Sequence, residues 1–335
     1  MQHTALVTGG AGYIGSHVGL ALLDAGWRVV VLDDLSTGHR FLTPPAAKFV
    51  EGNVGDAELL HRILRSERIE AVLHFAGSIV VEDSVAQPIA YYRNNLENSI
   101  GLIEACLTCG IKRLVFSSTA AVYGDPERVP VTESAPTRPL NPYGQSKLMV
   151  EQVLRDVDRA HRFPHVALRY FNVAGADPAG RSGQAMLRAT HLIKVACEVA
   201  VGVRPEMEIF GTDYDTPDGT AIRDYIHVTD LAEAHVRALE YLLEGGESLT
   251  LNCGYGHGFS VREVLKVMEE VAGRPIAARP APRRAGDSPK LVADSRALQE
   301  RFRWQPRYND LQEITASALA WERRIRQVNT NVAQS

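Results

Sequence analysis

An apolar run, Thr4-Ala5-Leu6-Val7, leads directly into Gly9-Gly10-Ala11-Gly12-Tyr13-Ile14-Gly15, after which apolar residues recur at helical spacing. Gly9, Gly12 and Gly15 form a G-x-x-G-x-x-G pattern between a strand and a helix. Missing side chains there permit a tight turn, close approach of backbone N–H groups to a pyrophosphate, and tight helix–strand packing. The next apolar run ends in Asp33, eighteen residues beyond Gly15. A carboxylate at that point accepts hydrogen bonds from the adenosine ribose hydroxyls and repels a 2′-phosphate, so the pattern points to NAD rather than NADP.

The first 120 residues extend this alternation. Short apolar runs lie at Ala5–Thr8, Val29–Leu32, Lys48–Val50, Ala71–Phe75 and Leu114–Phe116, separated by helix-compatible stretches at Tyr13–Ala25, Ala57–Arg65 and Val85–Cys109. Asn141-Pro142, a polar cap followed by proline at the first helical position, predicts a helix running to about Arg159, and His165–Phe171 reads as another strand. Such alternation implies a parallel sheet with helices on both faces. After residue 178 the texture changes to Gly/Asp-rich stretches and a Pro/Arg-rich segment, Arg274–Arg284. Val228–Glu244 reads as a helix returning to the first unit. The expected fold is therefore α/β: a Rossmann-type doubly wound parallel sheet over 1–178, with a smaller, interleaved substrate-binding domain over 179–335.

Composition narrows the function. At 335 residues the chain has room for one large or two coupled units. Its net charge of −4 excludes a broad basic face for nucleic acid and a polybasic membrane anchor. No apolar run reaches the roughly 18 residues of a membrane span, and the first strand leaves no room for a signal peptide. Four cysteines make no disulfide framework and suit a reducing cytoplasm. Cys106 and Cys109 form a C-x-x-C without a second pair, and the eleven histidines show no H-E-x-x-H or ligand cluster, so no metal is expected. His74 reads as a packing residue.

Tyr143-Gly144-Gln145-Ser146-Lys147 puts a phenol and an ammonium four residues apart on one helix face. A positive charge beside the phenol favours the phenolate and lowers its pKa. A tyrosine so tuned serves as general base on a sugar hydroxyl. Ser117-Ser118-Thr119 follows the strand at Leu114–Phe116, on the edge where ligands collect in such sheets, and a hydroxyl there can bridge the base and the reacting oxygen.

On Thr8–His17, His74–Gly77, Ser117–Gly124, Tyr143–Lys147, Leu168–Ala176, Arg223–His227 and the segment from Ala281 through Arg284 to Gly286-Asp287, the chain resembles the extended short-chain dehydrogenase/reductase family, and within it the UDP-hexose 4-epimerases. The resemblance spans nearly the whole chain. It implies Tyr143 as proton acceptor, with Lys147 binding the nicotinamide ribose and acidifying it and Thr119 supplying the hydroxyl. Beyond Gly9, Gly12 and Gly15, it implies NAD contacts from Tyr13, Ile14, Asp33, Asp34, Leu35, Ser36, Thr37, Gly38, Asn53, Val54, Phe75, Ala76, Gly77, Ser78, Ile79, Asn94, Thr119, Tyr143, Lys147 and Phe171. The UDP-sugar would meet Thr119 and Tyr143, then Asn172, His191, Leu192 and Phe210. Arg223 and Arg284 would hold the pyrophosphate, Asp287 the uridine ribose, and Leu291 the wall beside the sugar's C2 substituent. Guanidinium forks suit phosphate oxygens.

The chain departs from the family pattern with Thr119 for a serine, Asn53 for an aspartate, Ile79 for a lysine and His191 for an asparagine. The activity implied is NAD-dependent interconversion of UDP-galactose and UDP-glucose, in galactose metabolism, by a cytoplasmic homodimer that binds neither nucleic acid nor membrane. Sister epimerases acting on UDP-GlcNAc/GalNAc, UDP-xylose or UDP-glucuronate stay open. A 4,6-dehydratase would carry Asp-Glu where Ala120-Ala121 stands. A non-catalytic NAD-sensing regulator would have lost the tyrosine or the lysine, and both are present.

Overall fold

The computed structural model describes residues 2–186, 189–284 and 287–333. Its first half runs β1 (Thr4–Thr8), α1 (Tyr13–Asp24), β2 (Arg28–Asp33), β3 (Lys48–Glu51), α2 (Ala57–Ser66), β4 (Ala71–His74), α3 (Val81–Ala86), α4 (Pro88–Tyr91), α5 (Asn98–Cys109), β5 (Leu114–Thr119), α6 (Pro142–His161) and β6 (His165–Tyr170). The second half adds β7 (Asn172–Ala174), α7 (Leu192–Ala200), β8 (Met207–Phe210), β9 (Ile222–Arg223), β10 (Tyr225–His227), α8 (Val228–Leu243), β11 (Leu249–Cys253), β12 (Phe259–Ser260), α9 (Val261–Ala272), β13 (Ala278–Ala281), β14 (Lys290–Leu291), α10 (Arg296–Phe302) and α11 (Leu311–Ala333).

Seven strands form one parallel sheet in the order β11-β6-β5-β4-β1-β2-β3. The inner strands β1, β4, β5 and β6 are buried along their whole length and carry near-continuous apolar stretches. Alternate side chains nevertheless divide between two cores. Ala5, Val7, Val29, Val31, Leu73 and Val115 meet α1 and α8 on one face, while Leu6, Val30, Leu32, Val72, Leu114 and Phe116 meet α2 and α5 on the other. Each such side chain contributes roughly 1.5–3 kcal/mol of burial. The strand order reverses between β1 and β4, which opens a crevice at the carboxyl ends of those strands.

Three elements differ from the sequence reading. The expected continuous helix over Val85–Cys109 is broken. Gln87, preceding Pro88, is pushed out of the helical region (φ −134°, ψ 60°), and a π-helical turn spans Tyr92–Glu97 before α5 begins. β11, on the sheet edge beside β6, carries Thr250 and Asn252 between its apolar residues and gave too weak a pattern to be read as a strand. β5 also runs three residues longer than expected, through Ser117, Ser118 and Thr119.

Outside the large sheet, β7 pairs with β10, β13 with β8, and β9 lies between β12 and β14. Among the described residues no helix is long and apolar enough to cross a membrane.

Candidate active site

The turn between β1 and α1 closes under tight steric limits. Gly9 has φ +69°, and a Cβ there would lie 2.6 Å from the Ala76 nitrogen; one on Gly15 would lie 2.3 Å from the Gly9 carbonyl oxygen. No side chain caps α1, so the N–H groups of its first turn are left for an anion. Asp33 ends β2 beside this turn and accepts from the Ala11 and Leu35 N–H groups at 2.9 Å each. Burial pushes its carboxyl up, and those two bonds pull it back.

The chain from Asp34 through Leu35, Ser36 and Thr37 to Gly38 curls over the same edge. A Cβ on Gly38 would fall 2.8 Å from Asp33 Oδ1, and Leu35 takes φ 59°. Asn53, just after β3 and next to Val54, donates to Asp34 at 2.8 Å. Burial raises the Asp34 carboxyl, but its bonds from Ser36 and Asn53 bring it below the ordinary value. Tyr13 anchors the start of α1 by donating to the Gly175 carbonyl at 2.6 Å, and Ile14 packs into the core.

Phe75, Ala76, Gly77, Ser78 and Ile79 continue from β4 across the crevice. Asn94 and Asn95 reach this segment from the π-helical turn: Asn94 donates to Ser78 Oγ at 2.9 Å, and Asn95 Oδ1 accepts from the Ser78 N–H at 2.7 Å. Asn95 also donates to Ser146 Oγ at 3.1 Å, tying the segment to α6. Sequence reasoning named Asn94 and missed its buried neighbour; nothing in the residue pattern told which of the two asparagines points inward. His74 is indeed a packing residue, between Thr8 Oγ1 at 2.7 Å and Ser99 Oγ at 2.9 Å. Burial, with the Lys147 charge added, lowers it to about 3 and keeps it neutral.

Asn141 caps α6, its Oδ1 accepting from the Gly144 N–H at 2.9 Å. Gly144 allows the helix to lie against the turn after β5, since a Cβ there would be 2.7 Å from the Ala121 carbonyl oxygen. This approach brings Tyr143 to Thr119. Thr119 stands by the phenol and holds its pKa down, and its hydroxyl accepts from the Ala121 N–H at 3.1 Å. Lys147 is 3% exposed and donates to the Ser117 carbonyl at 2.9 Å, with its ammonium 5.0 Å from the Phe116 ring centroid.

The expected acidification of Tyr143 by Lys147 is not what this arrangement gives. Burial raises the phenol, and the relief comes from Thr119. The ammonium is committed to Ser117 and is itself lowered to about 8 by burial.

Behind Tyr143 and Lys147, the next turn of α6 carries Glu151, 2% exposed. It accepts from Arg169 at 2.9 and 2.6 Å and from the Ser118 hydroxyl. Arg169 also donates to the Tyr123 hydroxyl at 2.9 Å, which donates to Asn252 Oδ1 at 2.6 Å. The network locks α6 to β5, β6 and β11. Glu151 follows Lys147 by one helical turn, and that spacing was the available signal for it.

Apart from Thr119 and Tyr143, the residues assigned to the nucleotide sugar lie in the second half of the chain. Asn172 starts β7, His191 and Leu192 open α7, and Phe210 ends β8. Asn172, His191 and Leu192 line one pocket together with Gln184 and Tyr225. The Arg284 guanidinium stacks 3.8 Å from the Phe210 ring centroid, and Arg223 meets Asp287 at 3.4 Å. Burial lowers the His191 imidazole, and the Arg284 charge lowers it further. Buried Asp224, part of the Arg223–His227 segment but given no role in the sequence reading, accepts from the Tyr255, Gly256 and Ala293 N–H groups and so sets the strand that carries Arg223. Leu291 packs beside Phe171, Leu148 and Val131. Gly286, part of the segment carrying the resemblance, lies outside the described residues.

All four cysteines are free thiols, and among the described residues no group of three or more His, Cys, Asp or Glu is placed to hold a metal.

Residues 5–254 match the model of the NAD dependent epimerase/dehydratase family. The UDP-glucose 4-epimerase of Azospirillum brasilense is 61% identical over 322 residues, covering 96% of this chain and 92% of the relative. The crystal structure of the Brucella ovis UDP-glucose 4-epimerase in complex with NAD superposes with a TM-score of 0.92 at 43% identity, covering 95% of this chain and 98% of that one. The Bifidobacterium longum enzyme in complex with NAD+ and UDP gives 0.92 at 40% identity, covering 96% and 98%. A family model matched over most of the chain and a relative 61% identical along nearly its whole length agree: the chain belongs to the NAD dependent epimerase/dehydratase family, within the extended short-chain dehydrogenases/reductases.

Proposed function

We propose that this chain interconverts UDP-galactose and UDP-glucose by oxidising C4, rotating the 4-keto sugar and reducing its opposite face, with NAD as the cofactor. The observation that carries the reading is the meeting of Tyr143, Lys147 and Thr119 at the sheet edge beside the glycine turn. The turn fits a dinucleotide: Gly9 and Gly15 leave no room for a Cβ, α1 opens uncapped, and Asp33 stands at the end of β2. When bound, NAD supplies the acceptor and donor of the C4 hydrogen.

Tyr143 takes the proton from the sugar's 4-hydroxyl and returns it. Thr119 orients that exchange, and Lys147 holds the nicotinamide ribose. Arg223 and Arg284 bind the pyrophosphate, with Asn172, Leu192 and Phe210 about the uridine and Asp287 on its ribose. The test is incubation of the purified protein with UDP-galactose without added nucleotide; UDP-glucose forms if the reading is right, and its absence from protein carrying bound NAD refutes it.

Three further results are expected. Nucleotide released by acid and weighed by mass spectrometry should be NAD, because a carboxylate at the end of β2, here Asp33, would repel a 2′-phosphate; NADP as the main species would count against that role. Lys147→Met should loosen the bound NAD and leave the pH optimum in place, because the phenol is relieved by Thr119 and the ammonium is committed to the Ser117 carbonyl. An optimum moved to higher pH would show instead that the ammonium acidifies the phenol.

Leu291 is larger than a cysteine or serine and smaller than a tyrosine at that wall. UDP-GlcNAc is therefore expected to turn over more slowly than the plain hexoses. Filling the space costs about 1–3 kcal/mol for the N-acetyl group, so Leu291→Tyr should lower that activity roughly 5- to 150-fold and spare UDP-glucose and UDP-galactose. Assay of both substrate pairs with both proteins decides it.

The chain is further proposed to work as a cytoplasmic homodimer. Val81, Val85, Ile89 and Ile100 are exposed along α3 to α5, and Ile89, Leu96 and Ile100 share one groove, an apolar face suited to a second copy.

A further inference from the structure

We propose that Glu82 is a positioning residue that occupies Arg284 in competition with the substrate's diphosphate, and so sets the affinity of the site for its nucleotide. This rests on the reading of Arg284 as a diphosphate ligand. Glu82 lies in α3, three residues beyond Ile79, on the half of the molecule that carries the glycine turn. Arg284 follows β13 in the other half. Glu82 Oε1 stands 3.6 Å from Arg284 Nε, too far for a hydrogen bond and close enough for an ion pair across the crevice.

The rest of the Arg284 environment shows a guanidinium positioned but not satisfied. Its plane rests on the Phe210 ring at 3.8 Å, and its Nε is buried without a hydrogen-bond partner. A buried donor left in this state favours an acceptor that can reach it. The second arginine assigned to the diphosphate, Arg223, donates to the Ile222 carbonyl at 2.9 Å and reaches its anionic neighbour Asp287 only at 3.4 Å. The structural arginine Arg169, by contrast, bonds Glu151 at 2.9 and 2.6 Å.

A diphosphate offers several charged oxygens to a fork of donors and outcompetes a single, 65% exposed carboxylate at long range. Glu82 thus acts in one direction. It must yield Arg284 when a nucleoside diphosphate enters, and it remains a like charge near the bound anion, which weakens binding and favours release.

The test is the dissociation constant of UDP, and of uridine as the probe without phosphate, by titration calorimetry at low ionic strength on the protein with its bound NAD. Removing an exposed ion pair of this kind is worth about two- to fivefold. Glu82→Gln is therefore expected to bind UDP about two- to fivefold more tightly, with uridine unaffected and with the gain shrinking as salt is raised. The gain should shrink when the substitution is made on Arg284→Ala, where only the direct repulsion between Glu82 and the diphosphate is left to remove. UDP binding that is unchanged or weaker in Glu82→Gln, against an Arg284→Ala variant that does lose UDP affinity, overturns the proposal. If Arg284→Ala binds UDP as tightly as the parent, the assignment of Arg284 to the diphosphate fails instead.

Discussion

Tyr143→Phe is expected to lower turnover of UDP-galactose by at least ~10²-fold, the usual contribution of a positioned general base, while the fold and the bound nucleotide persist. The ring stays, and only the hydroxyl that meets Thr119 is lost, so packing at the head of α6 is untouched. The loss should fall on turnover rather than on binding, because the phenol acts on the proton of the sugar's 4-hydroxyl. Steady-state kinetics, together with a thermal melt and mass analysis of the retained nucleotide, check it. Epimerisation near the parent rate would remove Tyr143 from the reaction.

The second large effect is on stability. Glu151→Ala should cost about 3–5 kcal/mol, the range for breaking a buried ion pair from one side. Arg169 is 5% exposed, and without Glu151 its charge has no anionic partner in the network, while the Ser118 hydroxyl loses its acceptor. Replacing both members with apolar residues of similar size, as in Glu151→Leu/Arg169→Met, should recover much of the loss. Urea unfolding of the parent, the single variant and the double variant measures this; a single-variant loss under about 1 kcal/mol would mean that water reaches Arg169.

The legible parts of the molecule are those in which chemistry and period coincide. The glycine turn stood out because a strand, a helix and Asp33 framed it at fixed spacing. Tyr143 and Lys147 stood out because a four-residue step puts both on one helix face. What stayed hidden was of three physical kinds. Backbone acceptors carry no residue signature, so the Ser117 carbonyl that takes the Lys147 ammonium could not be foreseen, and with it the result that Thr119 rather than Lys147 pulls the phenol down.

Local breaks override period. Pro88 and the π-helical turn interrupt an otherwise helical stretch, and that interruption turns Asn95 toward Ser78 and Ser146. Charges on a helix ordinarily face solvent, so the four-residue step from Lys147 was the one sign that Glu151 is buried, and the partner that makes its burial tolerable, Arg169, comes from β6. The same contacts that sequence patterns omit hold Tyr143, Lys147 and Thr119 in one place.

The central claim is oxidation and re-reduction at C4 within a single site. It is tested most directly by converting UDP-galactose labelled with deuterium at C4 of the hexose and locating the label in the product by NMR. The account predicts UDP-glucose that keeps its deuterium at C4, formed by protein with no added nucleotide, because the hydrogen taken from that carbon is returned to it. UDP-glucose carrying solvent hydrogen at C4, or with the label moved to another carbon, would contradict it.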